Sequence, residues 1–201
     1  EFRRVLFRSA SGKGAMTING GTIDNTSAGN VTLSNSGYTL GANLSYTGTG
    51  NRTINLGTGG LSLGAANRTF TIGNAATLTV GGVVSKTGGT ARGIIKAGTG
   101  TLELTGVNSY NGITTIIAGT LSTNSLTNAG ANSTLGSSGS AAGNLVLSGG
   151  TLRFNGSSAG STDRLFTLGT GASAGTLEAS GGSGASMSFT NTGSMGFSGS
   201  G

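Results

Sequence analysis

Apolar residues in this chain come in pairs with one polar residue between them. Val31 and Leu33, Tyr38 and Leu40, Leu44 and Tyr46, Ile54 and Leu56, Leu61 and Leu63, Phe70 and Ile72, and Leu78 and Val80 keep this spacing. It returns at Leu102 and Leu104, Leu145 and Leu147, Leu152 and Phe154, Phe166 and Leu168, Met187 and Phe189, and Met195 and Phe197. Successive side chains of a strand point to opposite faces, so each pair predicts a short strand with one buried face. Clusters such as GTGG at 57–60 and LGSSGSAAGN at 135–144 separate the pairs, and Gly, Asn and Ser accept the tight turns such connections need. A disordered Gly and Ser tract has no reason to keep that spacing.

Strands this short suit a sandwich, a barrel or a solenoid. Recurring wording selects the solenoid. Gly-Thr before an apolar residue appears in GTID (21–24), GTLE (100–103), GTLS (119–122), GTLR (150–153) and GTLE (175–178). A second phrase appears as NRTINLG (51–57), NRTFTIG (67–73) and DRLFTLG (163–169). Phrases that return at irregular intervals of tens of residues mark stacked coils, whereas a sandwich need not repeat the wording of its strands. A three-residue strand cannot bury its own apolar face, but coils stacked about 4.8 Å apart line those faces into one core.

Composition narrows the chemistry. The chain has no Cys, Pro, His or Trp, and glycine supplies 42 of 201 residues. Disulfides, thiolate chemistry and the usual zinc ligand sets are therefore excluded, and no cofactor or metal site is expected. The formal net charge is +6, but the basic residues are scattered singly rather than clustered with stacking aromatics, which excludes nucleic acid as the expected partner. No apolar run approaches the roughly 20 residues of a membrane-spanning helix.

Three of the eleven basic residues fall in EFRRVLFRS, residues 1–9. Written back into codons this stretch is similar to the translated end of a short-read sequencing adapter, so it is read as a non-native scar and set aside from the fold. Without it the chain has eight basic and four acidic residues and a net charge of +4. The organisation expected is a scar at 1–9 and a single solenoid segment over 10–201, truncated at both ends.

The segment KAGTGTLELTGVNSYNGITTIIAGTL, Lys96 to Leu121, resembles the autotransporter-associated β-strand repeat of secreted and surface-displayed bacterial proteins. Lys96, Gly98, Gly100, Thr101, Leu102, Leu104, Gly106, Asn108, Tyr110, Gly112, Thr114, Thr115, Ile116, Gly119, Thr120 and Leu121 carry the likeness. Residues 149–181 are similar to sequence that often follows this repeat. Glu103 and Ile117 depart from it, standing where small or polar neutral residues are usual. The resemblance implies an all-β, right-handed parallel β-helix of passenger type, a stalk unit without catalytic residues. It implies a secreted or cell-surface location and an outer-membrane barrel in the full-length protein.

Parallel β-helices also carry polysaccharide lyases and glycosidases, whose chemistry rests on grouped acids. Beyond the scar the acids are Asp24, Glu103, Asp163 and Glu178, far apart in sequence, whereas glycoside hydrolysis needs two carboxyl groups within roughly 5–10 Å. The residue after the apolar one in each Gly-Thr phrase is expected outward, which would make Asp24, Glu103, Arg153 and Glu178 an outward charged column. That column is read as solvated decoration that discourages lateral sheet pairing, with a glycan-contacting strip as the sharper reading. Arg52, Arg68 and Arg164 are expected to cover corners and hydrogen-bond loop carbonyls. Two aspartates are too few for calcium-binding nonapeptide repeats. A serine with Lys86 or Lys96 as base stays open as a nucleophile pair. The threonine pairs Thr69/Thr71 and Thr77/Thr79 suggest an ordered threonine face that does not persist through the other coils. The function expected is that of a non-enzymatic stalk or display segment of a surface passenger, with extracellular glycans or a host or neighbouring cell surface as partners. The alternatives are a carbohydrate-active enzyme whose site lies elsewhere in the protein, or a glycan-binding adhesin face.

Overall fold

The computed structural model describes residues 4–6, 14–169 and 173–198. Alternating apolar pairs between glycine-rich turns leave the chain one economical way to bury them, which is to turn a corner after each short strand and stack coil on coil. Gly37–Leu40, Leu44–Tyr46 and Thr53–Asn55 make one coil, and Gly60–Ser62, Arg68–Ile72 and Thr77–Val80 make the next. Each strand pairs in parallel with its counterpart one coil away, so that Tyr38 faces Leu61, Leu44 faces Phe70 and Ile54 faces Leu78. The result is an all-β solenoid with a first wall of four strands, a second of nine and a third of seven. Two later strands, Gly160–Thr162 and Met187–Phe189, occupy the place of the first wall in the winding order. No helix among the described residues is long and apolar enough to cross a membrane.

Register lines the core into columns. On the third wall Val31, Ile54, Leu78, Leu102, Leu121, Leu152 and Leu177 stack in one inward column. Each fully buried leucine contributes roughly 1.5–3 kcal/mol that an isolated strand could not obtain. The apolar pairs are buried from Val31 through Phe154, and burial fades at Leu168, Met187 and Phe189. Met195 and Phe197 are 47% and 70% exposed, because Gly196–Ser198 is the outermost rung of the second wall.

Successive members of the third-wall column give the coil lengths: 23, 24, 24, 19, 31 and 25 residues from Val31 to Leu177. The irregular repeat of the sequence is thus a regular stack with one short and one long coil. They compensate each other. The short coil, Leu102 to Leu121, makes no first-wall strand, and residues 124–144 of the long coil supply what it lacks. Asn108 exchanges backbone hydrogen bonds with Ser133 across an antiparallel bridge. Its side chain accepts from the Val84 amide at 2.7 Å and donates to the Thr134 carbonyl at 2.8 Å. One amide side chain therefore bridges the last regular rung of the first wall to the excursion above it.

Of the segment read as a scar, Arg4–Leu6 forms the edge strand of the second wall, paired with Thr22–Asp24. Residues 1–3 and 7–9 lie outside the described residues.

Candidate functional site

The segment with the strongest motif is a corner assembly. Lys96 points inward on the second wall, in the column of Leu44, Phe70, Ile116 and Leu147, and is fully buried. Its Nζ donates to the carbonyls of Ala97, Gly98 and Ala118 at 2.7, 2.8 and 3.1 Å. Burial pushes its pKa down to about 8, while three carbonyl acceptors hold the ammonium form below that pH. Gly98 and Gly119 turn this corner with φ of +72° and +62°, and a Cβ on Gly119 would lie 2.8 Å from the lysine nitrogen. Tyr110 is fully buried, its hydroxyl 2.9 Å from that of Thr114, and burial raises its pKa to about 12. These motif residues hold backbone corners together, and none is aimed at solvent. Lys86 likewise donates to the Gly88 carbonyl. Neither lysine has a serine hydroxyl as its hydrogen-bond partner, which removes the basis for a Ser-Lys pair.

The third wall presents the chemistry that does face outward. Strand parity turns two columns away from the buried leucines, although Thr79 and Ser122 of the second are themselves covered by their neighbours. The first is threonine throughout, running Thr53, Thr77, Thr101, Thr120, Thr151 and Thr176 in continuous register. The paired pattern of Thr77/Thr79 does not persist along this wall, where a single-file threonine row does. The second column runs Thr32, Asn55, Thr79, Glu103, Ser122, Arg153 and Glu178. Between the columns lies an open depression of about 440 Å³, bordered also by Asn155 and Ser180.

Glu103 is held from two sides. It accepts from the Thr79 hydroxyl at 2.9 Å on one neighbouring rung and from the Asn155 amide at 3.0 Å two coils along. Arg153 Nε lies 3.0 Å from Glu178 Oε1, each side chain about one-third exposed. The N–H is not aimed along that line, so the contact is an ion pair rather than a hydrogen bond. The Ser180 hydroxyl chiefly holds the Glu178 carboxyl below its ordinary value, against desolvation by burial, with smaller help from Arg153.

Asp24 is not part of this strip. It ends the second-wall strand Thr22–Asp24 and is fully buried, where its carboxylate accepts from the Thr49 amide at 3.0 Å and the Thr49 hydroxyl at 2.6 Å. The physical reason is that GTID lies on the second wall and not the third, and the turn that carries Thr49 closes over the end of its strand. Asp163 also caps backbone, accepting from the Ala129 amide at 2.7 Å. Glu103 and Glu178 share a column but stand three rungs apart, about 14 Å at the usual ~4.8 Å rung spacing. Paired glycosidase carboxyls stand roughly 5–9.5 Å apart.

Two of the three corner arginines, Arg68 and Arg164, bond loop carbonyls as expected. Arg68 donates to the carbonyls of Leu63 and Leu40 at 2.8 and 2.6 Å. Arg164 is buried and donates to the carbonyls of Ser138 and Gly136 and to the hydroxyls of Ser138 and Ser133. It pins the long excursion. Its depth was not readable from the DRLFTLG phrase, because the loop that covers it lies some 26 to 31 residues earlier.

Comparison with known proteins follows this geometry. The family model of the passenger-associated-transport-repeat matches residues 94–122, a little more than one coil, which holds the corner assembly. An adhesin BmaC autotransporter of Brucella suis biovar 1 (strain 1330) is 37% identical over 181 residues, which is 85% of this chain and 5% of that protein. The chain thus spans about one-twentieth of the length of that curated relative. No solved structure matches it.

Proposed function

Since the chain belongs to the autotransporter passenger repeat proteins, which are secreted or displayed at the cell surface, we propose that it extends and displays without catalysing a reaction. The whole protein is held at the outer membrane by a barrel encoded elsewhere in it, and this segment serves as stalk within an adhesive passenger that contacts extracellular glycans or another cell's surface. The observation that carries this reading is the third wall, which keeps register through seven strands while coil length varies from 19 to 31 residues. A wall that tolerates such variation is built to be lengthened, since each coil contacts only its neighbours. The acids support the same reading, with two capping backbone and two three rungs apart.

The test is to remove one coil. Deleting residues 55–78 joins Ile54 to Thr79, which occupy successive positions of the same column pattern. The variant is expected to unfold cooperatively and to be one rung, about 4.8 Å, shorter. Loss of cooperative unfolding would contradict a modular stalk. In parallel, the intact protein incubated with pectin, alginate and neutral glucans, with and without calcium, is expected to release neither new reducing ends nor unsaturated products.

A further inference from the structure

The outward strip of the third wall offers a partner only side chains, because its backbone amides and carbonyls are engaged in the parallel ladder. A peptide that adds a strand needs a sheet edge, and these rungs are interior. An apolar partner has no purchase either, since neither outward column contains an aliphatic or aromatic residue larger than threonine. What the strip does offer is the threonine row, whose hydroxyls can each donate and accept, spaced about 4.8 Å apart. That spacing is close to the length of one sugar ring in an extended chain.

Charge decides which sugar. Arg153 is paired with Glu178, so its charge is largely answered. Glu103 is held by two neutral donors, Thr79 and Asn155, and lines the depression. Its oxygens retain lone pairs for further hydroxyl donors. A uronate or sulfate beside it would meet like charge in a partly desolvated groove.

On the reading that this segment displays adhesive surface, we propose that Thr77, Thr101, Thr120 and Glu103 bind a neutral, hydroxyl-rich polysaccharide chain lying along the solenoid axis, and discriminate against acidic glycans. With no aromatic platform each sugar contributes little, so binding strengthens with the number of rungs engaged.

The experiment is a titration of the isotopically labelled protein, followed by amide NMR, with a neutral β-glucan hexasaccharide and with an oligogalacturonate of equal length. Glucan shifts are expected to concentrate on Thr77, Thr101, Glu103 and Thr120. The oligogalacturonate is expected to give at least threefold smaller shifts, Thr101→Val with Thr120→Val to reduce the glucan shifts at least fivefold, and Glu103→Gln to narrow the difference between the two probes. A well-dispersed spectrum with no glucan shifts on this wall, or with the oligogalacturonate the stronger ligand, overturns the proposal and leaves the display reading intact. New reducing ends in the same tubes would overturn the display reading and this proposal with it.

Discussion

The third wall and the first wall of this solenoid solve the same problem in different ways. The third wall runs through seven coils as an unbroken ladder, apolar within and hydroxyl-bearing without. The first wall ends as a four-strand ladder at Val84–Ser85 and continues through side chains: Asn108 spanning from Val84 to Thr134, and Arg164 gripping the carbonyls of Gly136 and Ser138. One wall is held by column packing, the other by buried polar contacts whose members must all be present. The difference teaches where coil length can vary. The 19-residue and 31-residue coils differ at the first wall, and the third wall does not register the change.

The largest effect expected on this comparison is at the ladder itself. Leu104→Asp places a charge in the fully packed core and should cost about 4 kcal/mol or more, seen as loss of the main transition in urea unfolding. Arg164→Met attacks the other wall and should cost about 3 kcal/mol by leaving buried carbonyls unanswered. Hydrogen exchange should then show lost protection at the amides of Ser133 and Gly136, while those of Leu56 and Gly81, bonded within the regular coils, keep theirs. Equal loss at all four would mean that the two walls are not separable.

Lys96 joins the walls at a corner, and its titration sharpens the picture. Its folded pKa of about 8 lies below the ordinary 10.5, so between these values the unfolded chain binds more protons and stability rises with pH. The contribution, on the order of 1–3 kcal/mol, is absent below pH 8 and complete above 10.5. Tyr46 and Tyr110, raised to about 12 chiefly by burial, work in the opposite sense: their stabilisation is present below pH 10 and lost between 10 and 12. Urea midpoints should therefore rise from pH 8 to about pH 9.5, and Lys96→Met should flatten that rise. The smallest effect is at the surface: Glu103→Thr should change stability by less than about 1 kcal/mol. If it proved worse than Leu104→Asp, inward and outward would be exchanged along the whole wall.

The third wall was legible in the sequence because one residue type does one job there. Parity placed Leu104 inward and Glu103 outward, and four Gly-Thr phrases begin successive third-wall strands at Thr101, Thr120, Thr151 and Thr176. The same phrase misled at Asp24, since GTID belongs to the second wall and ends in a buried cap. The rebuilt wall was not legible. A lysine and an arginine inside a core contradict every compositional rule of burial, and their carbonyl partners are set by turns whose direction no periodicity encodes. The threonine row was missed for a related reason: its members are 19 to 31 residues apart, and only register brings them side by side.

The central claim is that distance along this molecule follows the rung number and not the count of residues between two positions. The chain has no cysteine, so spin labels can be attached at Thr53 paired in turn with Thr120, Thr151 and Thr176, which lie three, four and five rungs away. Pulsed dipolar measurement should give distances that increase by equal steps of about 4.8 Å, although the sequence steps are 31 and 25 residues. Unequal steps that grow with the intervening sequence, or distances with no order, would contradict the stacked solenoid and the display role built on it.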